Sequence, residues 1–148
     1  MKILLTGKDG QLGFELQRAL APLGTLVAVG RAQCDLARAD AIRRLVAEVR
    51  PRIIVNAAAY TAVDKAEADA EEAYAINATA PGLLGEAAAQ CDALIVHYST
   101  DYVFDGRKQG GYAENDTPNP QNVYGQTKLA GEQAVMASGA RHLIFRTS

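Results

Sequence analysis

Cysteine is scarce in this chain: Cys34 and Cys91 are the two thiols in 148 residues. They show neither a Cys-x-x-Cys spacing nor a metal-ligand pattern, so a disulfide framework or zinc module is excluded and reduced thiols in a cytoplasmic protein are expected. Histidine is equally sparse, with His97 and His142 alone and no clustered carboxylates, which argues against a catalytic metal site. Positive charge is not in surplus: the formal net charge is −2. There is no Lys/Arg-rich run and no RNA-binding signature, so nucleic acid is not an expected partner. No apolar run approaches the roughly 20 residues that cross a bilayer. Met1 leads straight into a strand-like segment, not into a charged region followed by a long apolar one, so neither a membrane span nor a signal peptide is expected. No repeat period or low-complexity linker appears.

What is present is an ordinary globular composition, 49% hydrophobic and 22% charged, at a length suited to one domain with a proper core. Short apolar runs alternate with helical patterns. Strands are predicted at 2–6, 25–29, 52–55, 93–98 and 141–146, and helices at about 14–20, 40–49 and 123–137. The alanine-rich stretch 63–90 reads as two helices, with Pro81 a kink or break inside the second. Residues 102–121, rich in Gly, Pro, Asn and Asp, read as a long irregular loop, a length that is usually functional. Apolar strands separated by helices predict an α/β fold: a Rossmann-type doubly wound parallel sheet with helices on both faces, spanning 1–148 as one dinucleotide-binding domain.

Gly7, Gly10 and Gly13 give G-x-x-G-x-x-G between the first strand and first helix. Glycine there lets the backbone turn sharply and approach a pyrophosphate, whose charge the helix N-terminus favours. Sites that take NAD usually hold Asp or Glu at the end of the second strand. Here Gly30-Arg31 stands in that place, so Arg31 is a candidate for a 2′-phosphate and NADPH is favoured over NADH; a solvated loop arginine is the rival reading. Asp35 could bond the adenine or merely close an Asx turn. The third strand exits through Asn56-Ala57-Ala58-Ala59, small enough for close approach of a cofactor or for tight helix–sheet packing. His97 and His142 read as structural. The fourth strand leads to Ser99-Thr100-Asp101, at the carboxyl edge where open α/β sheets bind ligands; capping or turn formation is the alternative for each.

Tyr124 and Lys128 lie four apart in a helical segment, one turn from each other on one face. An ammonium near a phenol lowers the phenol's pKa from about 10. A tyrosine so tuned can pass a proton to or from a carbonyl or alcohol oxygen. Taken alone, the pair reads more readily as an amphipathic helix with a half-buried Tyr and a solvated Lys.

The order of these motifs resembles the extended short-chain dehydrogenase/reductase family. Four blocks carry the resemblance: Thr6-Gly7-x-x-Gly10-Gln11-Leu12-Gly13, Asn56-Ala57-Ala58-Ala59-Tyr60-Thr61, Ser99-Thr100-Asp101-Tyr102-Val103-Phe104, and Asn122-Val123-Tyr124-Gly125-x-Thr127-Lys128. They are most similar to the branch that reduces the C4 ketone of dTDP-4-dehydro-L-rhamnose to dTDP-L-rhamnose, for cell-surface polysaccharide. The resemblance implies a catalytic Thr100, Tyr124 and Lys128. Tyr124 would protonate the oxygen, Lys128 would bond the nicotinamide ribose and tune Tyr124, and Thr100 would orient the carbonyl. It implies a nicotinamide cofactor lined by Gly10, Gln11, Leu12, Asp35, Leu36, Ala57, Ala58 and Ala59, and a sugar held partly by Asp101. It also implies a homodimer, with Mg²⁺ at its interface through Glu15. Relatives are nearly twice as long, their second half supplying most of the sugar pocket, so weak cofactor binding and poor turnover are expected of 148 residues alone. Two other readings stand beside this one. A nucleotide-sugar epimerase or dehydratase is disfavoured for the dehydratase, because Tyr102 follows Asp101 where an Asp-Glu pair is usual. A non-catalytic NADP(H)-binding subunit, similar to the regulatory subunit of methionine adenosyltransferase, is the other.

Overall fold

Five short apolar runs, each stopped by glycine, proline or a small polar residue, pair side by side as β1 (Lys2–Thr6), β2 (Thr25–Val29), β3 (Ile53–Asn56), β4 (Leu94–Thr100) and β5 (Arg141–Thr147). The computed structural model describes all 148 residues. Every pairing is parallel and the order is β2-β1-β3-β4-β5. The chain steps from β1 to β2 on one side, then crosses to β3 on the other. The strand ends of β1 and β3 therefore form the switch point at which such sheets bind ligands.

Helices cover the sheet on both faces, as the alternation of strand and helix predicts. On one face α1 (Gln11–Leu20) lays Leu16 and Leu20 on Ile3, Leu5 and Val55. On the other, Leu4, Ile54 and Ile95 are sealed by Ile42 and Val46 of α2 (Ala39–Val49), Leu84 and Ala88 of α5 (Ala80–Gln90), and Val135 of α6 (Val123–Ala137). Beyond the reach of α1, the first face carries Tyr98 against Phe145, ring centroids 5.7 Å apart. Leu143 and Phe145 remain about half exposed there.

Two expectations change. Strand four does not end at Tyr98: Ser99 and Thr100 continue the ladder opposite Arg146 and Thr147, because β5 is long enough to pair them. Nor does Pro81 break its helix. After a single turn, α3 (Val63–Ala66), one helical run extends from α4 (Ala70–Tyr74) through a π-helical turn (Ala75–Thr79) into α5. Proline lacks the N–H that would bond the carbonyl four residues back, and that carbonyl belongs to Asn77. The wider π turn absorbs the missing bond, and the freed Asn77 carbonyl abuts α6 at Gly131, where a β-carbon would overlap it.

The 102–121 segment is irregular, as expected, but internally tied. After a 3₁₀ turn (Asp101–Val103), Asp105 accepts hydrogen bonds from the Arg107 N–H (3.0 Å), the Tyr112 phenol (2.7 Å) and the Asn119 amide (3.0 Å). These bonds, the backbone N–H first, hold its carboxyl down to about 2. Phe104 stacks on Tyr112 with centroids 4.2 Å apart, and Arg146 lies 5.0 Å over the Phe104 ring. The same guanidinium grips the fully buried Glu132 of α6 through two bonds, 2.9 and 2.7 Å. Loop, helix and edge strand are thereby fastened at one point.

Candidate active site

A cleft of about 1080 Å³ opens along the carboxyl ends of the strands. It gathers Gly7, Gly10, Gln11, Leu12, Arg31, Asp35, Leu36, Ala57, Ala58, Ala59, Thr100, Asp101, Tyr124 and Lys128, nearly every residue singled out from the sequence. Gly13 and Glu15 are outside it. Glu15 stands on the exposed side of α1, where it pairs with Arg18 at 3.4 Å. No group of three or more His, Cys, Asp or Glu is assembled anywhere as a metal cage.

The glycine end is built from backbone. Gly7 sits at φ +77°, and a methyl there would lie 2.6 Å from the Ala58 nitrogen, so the turn and the β3 exit pack directly on each other. At Gly13 a methyl would overlap the Gly7 carbonyl: this glycine serves packing between helix and turn. Gly10 is different. A methyl on it would meet only the Gly7 oxygen, at an ordinary 3.5 Å, so what its small size leaves room for lies on the cleft side. Gly10 also starts α1 with no side-chain cap, leaving first-turn N–H groups without a capping acceptor beside the cleft.

At the β2 end the sequence expectation needs correcting. A carboxylate does stand beside Gly30, supplied from the glycine turn: a methyl on Gly30 would overlap the Asp9 side-chain oxygen. The Lys8 N–H donates to the Val29 carbonyl at 3.2 Å and fixes that approach. Arg31 is not free; its guanidinium meets Glu72 of α4 at 3.2 Å. Asp35 closes an Asx turn by accepting the Ala37 N–H at 3.0 Å, the rival reading for that residue, while still lining the cleft.

The end at β4 and α6 is built from side chains. Asn122 caps α6, its side-chain oxygen accepting the Gly125 N–H at 2.7 Å, and Gly125 lets the helix abut the Tyr102 carbonyl. Thr100 hydroxyl donates to Asp101 and accepts the Tyr102 N–H, both at 3.2 Å. Tyr102 meets the Tyr124 ring edge-on, centroids 5.5 Å apart. Lys128 is 2% exposed and its ammonium donates to the Tyr98 carbonyl at 2.6 Å. Burial pushes its pKa down to about 8, with Glu132 opposing. The expected lowering of the Tyr124 pKa by Lys128 is not what the geometry produces. Burial raises it; the Thr100 hydroxyl pulls the other way, and Asp101 and Tyr102 add to the rise. A phenol so placed stays protonated at neutral pH and is suited to giving a proton.

Some residues shape the site from behind the cleft wall. Asn56 does not face the cleft: fully buried, it accepts from the Thr6 hydroxyl at 2.6 Å and bonds His97 Nδ1 at 3.1 Å. His97, buried as a structural residue should be, has its pKa driven down to about 3 by burial and then by Lys128. His142 instead lies exposed on the edge strand. Asn77 of the π turn accepts the Tyr60 N–H (2.8 Å) and donates to the Tyr60 carbonyl (3.1 Å) and Thr127 hydroxyl (3.2 Å). It thus moors the β3 exit to α6. Its signal in the sequence is only an asparagine inside an alanine-rich helical stretch.

A sequence model of the RmlD substrate binding domain matches residues 1–148. The chain belongs to the RmlD substrate binding domain family. Its similarity to two proteins named dTDP-4-dehydrorhamnose reductase covers the whole chain: 50% identity to one from Burkholderia thailandensis and 53% to one from Escherichia coli K12. It spans 50% and 51% of their lengths, so the chain spans about half the length of the curated relatives it matches. Among solved structures, a dTDP-4-dehydrorhamnose reductase from Clostridium acetobutylicum superposes with a TM-score of 0.96 at 42% identity, over 100% of this chain and 53% of that one. A Bacillus anthracis reductase of the same name, in complex with NADP, gives 0.95 at 39%, over 99% and 53%. A Thermus thermophilus UDP-glucose 4-epimerase at 21% identity and TM-score 0.86 shares the fold. The RmlD-family sheet is thus a Rossmann-like one.

Proposed function

We propose that these 148 residues form the dinucleotide-binding and catalytic part of a reductase that converts the C4 ketone of dTDP-4-dehydro-L-rhamnose to the alcohol of dTDP-L-rhamnose. The single observation that carries this reading is convergence. Thr100, Tyr124 and Lys128 line the same cleft as Gly7, Gly10, Gln11 and Leu12, and relatives over the whole chain bear that reductase name. The cleft suits a nicotinamide dinucleotide: an uncapped helix N-terminus and the open side of Gly10 suit a pyrophosphate. Ala57, Ala58 and Ala59 bring backbone close, and Arg31 and Asp9 flank the ribose end. The dinucleotide, when bound, supplies hydride.

The chain's own residues do the rest. Tyr124, its phenol kept protonated by burial, gives its proton to the developing alkoxide. Thr100 orients that oxygen, and Asp101, which holds the Thr100 hydroxyl, also faces the sugar. Lys128 supplies positive charge beneath the site below about pH 8. Reduction therefore weakens as pH rises through about 8 and the ammonium is lost.

Binding is tested first, by titrating the chain with NADPH and NADH; absence of both interactions overturns the reading. Turnover follows, as loss of nicotinamide absorbance with the nucleotide sugar. Tyr124→Phe abolishes the signal, and a rate indifferent to that change overturns the role of the phenol.

A further inference from the structure

We infer that Asp9 is the ribose-recognising carboxylate of this cleft, transposed from the end of β2 to the glycine turn. In dinucleotide sites of this fold the carboxylate that bonds the 2′-hydroxyl projects from the end of the second strand. Here that strand ends in Gly30, which has no side chain, and the space a side chain would fill holds the carboxylate of Asp9. The placement is not an accident of a loose loop. The Lys8 N–H bonds the Val29 carbonyl and the Gly10 N–H bonds the Gly7 carbonyl at 3.1 Å, so the turn is pinned to β2 on one side and closed on the other. Asp9, Gly30 and Arg31 all line the cleft, and Asp9 is exposed there.

The charges around it set selectivity. Asp9 accepts a ribose 2′-hydroxyl and repels a 2′-phosphate. Arg31 attracts that phosphate but is engaged by Glu72, which also lines the cleft. Lys8 approaches Gly30 through its Cε, 3.4 Å from where a β-carbon would stand, and partly balances Asp9. Absence of a strand-end carboxylate therefore does not make this an NADPH site: Asp9 and Glu72 together oppose the pull of Arg31.

This inference rests on the dinucleotide reading of the cleft, and the experiment separates the two. The 148-residue chain is titrated with NADH, NADPH, ADP-ribose and 2′-phospho-ADP-ribose, the last two reporting the adenosine half without the nicotinamide. Asp9→Asn shifts the NADPH-to-NADH affinity ratio upward about tenfold, chiefly by weakening NADH, since it removes one charge-assisted bond. Glu72→Gln raises the ratio several-fold by tightening the phosphorylated ligands alone. Gly30 lies outside the left-handed region, so Asp9→Ala combined with Gly30→Asp returns a carboxylate to the strand end and restores the wild-type ratio. An equal effect of Asp9→Asn on phosphorylated and unphosphorylated ligands, or no recovery in the double variant with thermal melting unchanged, overturns the assignment. No binding of any of the four ligands to wild type overturns the dinucleotide reading, and this inference with it.

Discussion

At the turn between β1 and α1 the cleft is walled by backbone, with glycines that bring main chain against main chain. At the ends of β4 and α6 it is walled by buried side chains, Thr100 at 5% and Lys128 at 2% exposure, each held by a hydrogen bond to its surroundings. The first end needs smallness, and it is folded correctly or not at all. The second needs chemical groups that the fold itself would rather not bury. A substitution at the glycine end should therefore register as stability or binding. One at the β4 and α6 end should register as chemistry, sometimes with stability gained.

The sharpest division comes from Tyr124→Phe. Turnover falls about a thousandfold, about 4 kcal/mol of barrier, while thermal melting moves little; a large loss of stability would erase the contrast. Next is a pair within one turn. Gly13→Ala forces a methyl into the Gly7 carbonyl and lowers unfolding free energy by about 3 kcal/mol. Gly10→Ala leaves denaturant midpoints nearly unchanged yet weakens dinucleotide binding. Equal midpoints for both would show that the turn relaxes freely. Lys128→Met follows, removing a charge that burial disfavours. Because its pKa is depressed in the folded state, its destabilising effect is complete below about pH 8 and fades towards the ordinary lysine value. The variant gains about 2 kcal/mol near neutral pH, loses turnover, and gains nothing near pH 10.5. The smallest effect is at His97. Its folded pKa of about 3 means the unfolded chain takes up a proton that the folded chain refuses. Stability thus falls with pH below about 6.5, by about 1 kcal/mol over the first unit. His97→Gln flattens that slope in urea melts at a series of pH values.

Much of the scaffold could be read along the chain because its signals are local. Asn122 before Val123 is a capping pattern, and α6 runs over the predicted residues. The strand-turn-helix of the glycine segment likewise needs nothing from elsewhere. What escaped depends on distant residues. Thr100 extends β4 only because Thr147 pairs with it. Lys128 spends its ammonium on the Tyr98 carbonyl, 30 residues away, so Tyr124 is not tuned as spacing suggested. Asp9 reaches Gly30 through the stacking of two strand ends, which no single-segment pattern records. The Glu132–Arg146 pair joins a helix to an edge strand and has no sequence signature at all.

The π turn at Ala75–Thr79 also sets a phase. Each residue of an α-helix advances the face by about 100°, so a turn that closes over one residue more shifts what lies on its two sides. Asn77 points at both Tyr60 and Thr127 only in that shifted register. Deleting a single alanine between Asp69 and Asn77 would leave a helix at least as regular, but one whose polar hub faces the wrong way. The β3 exit would then lose its mooring to α6, and the two ends of the cleft would no longer be held at a fixed distance.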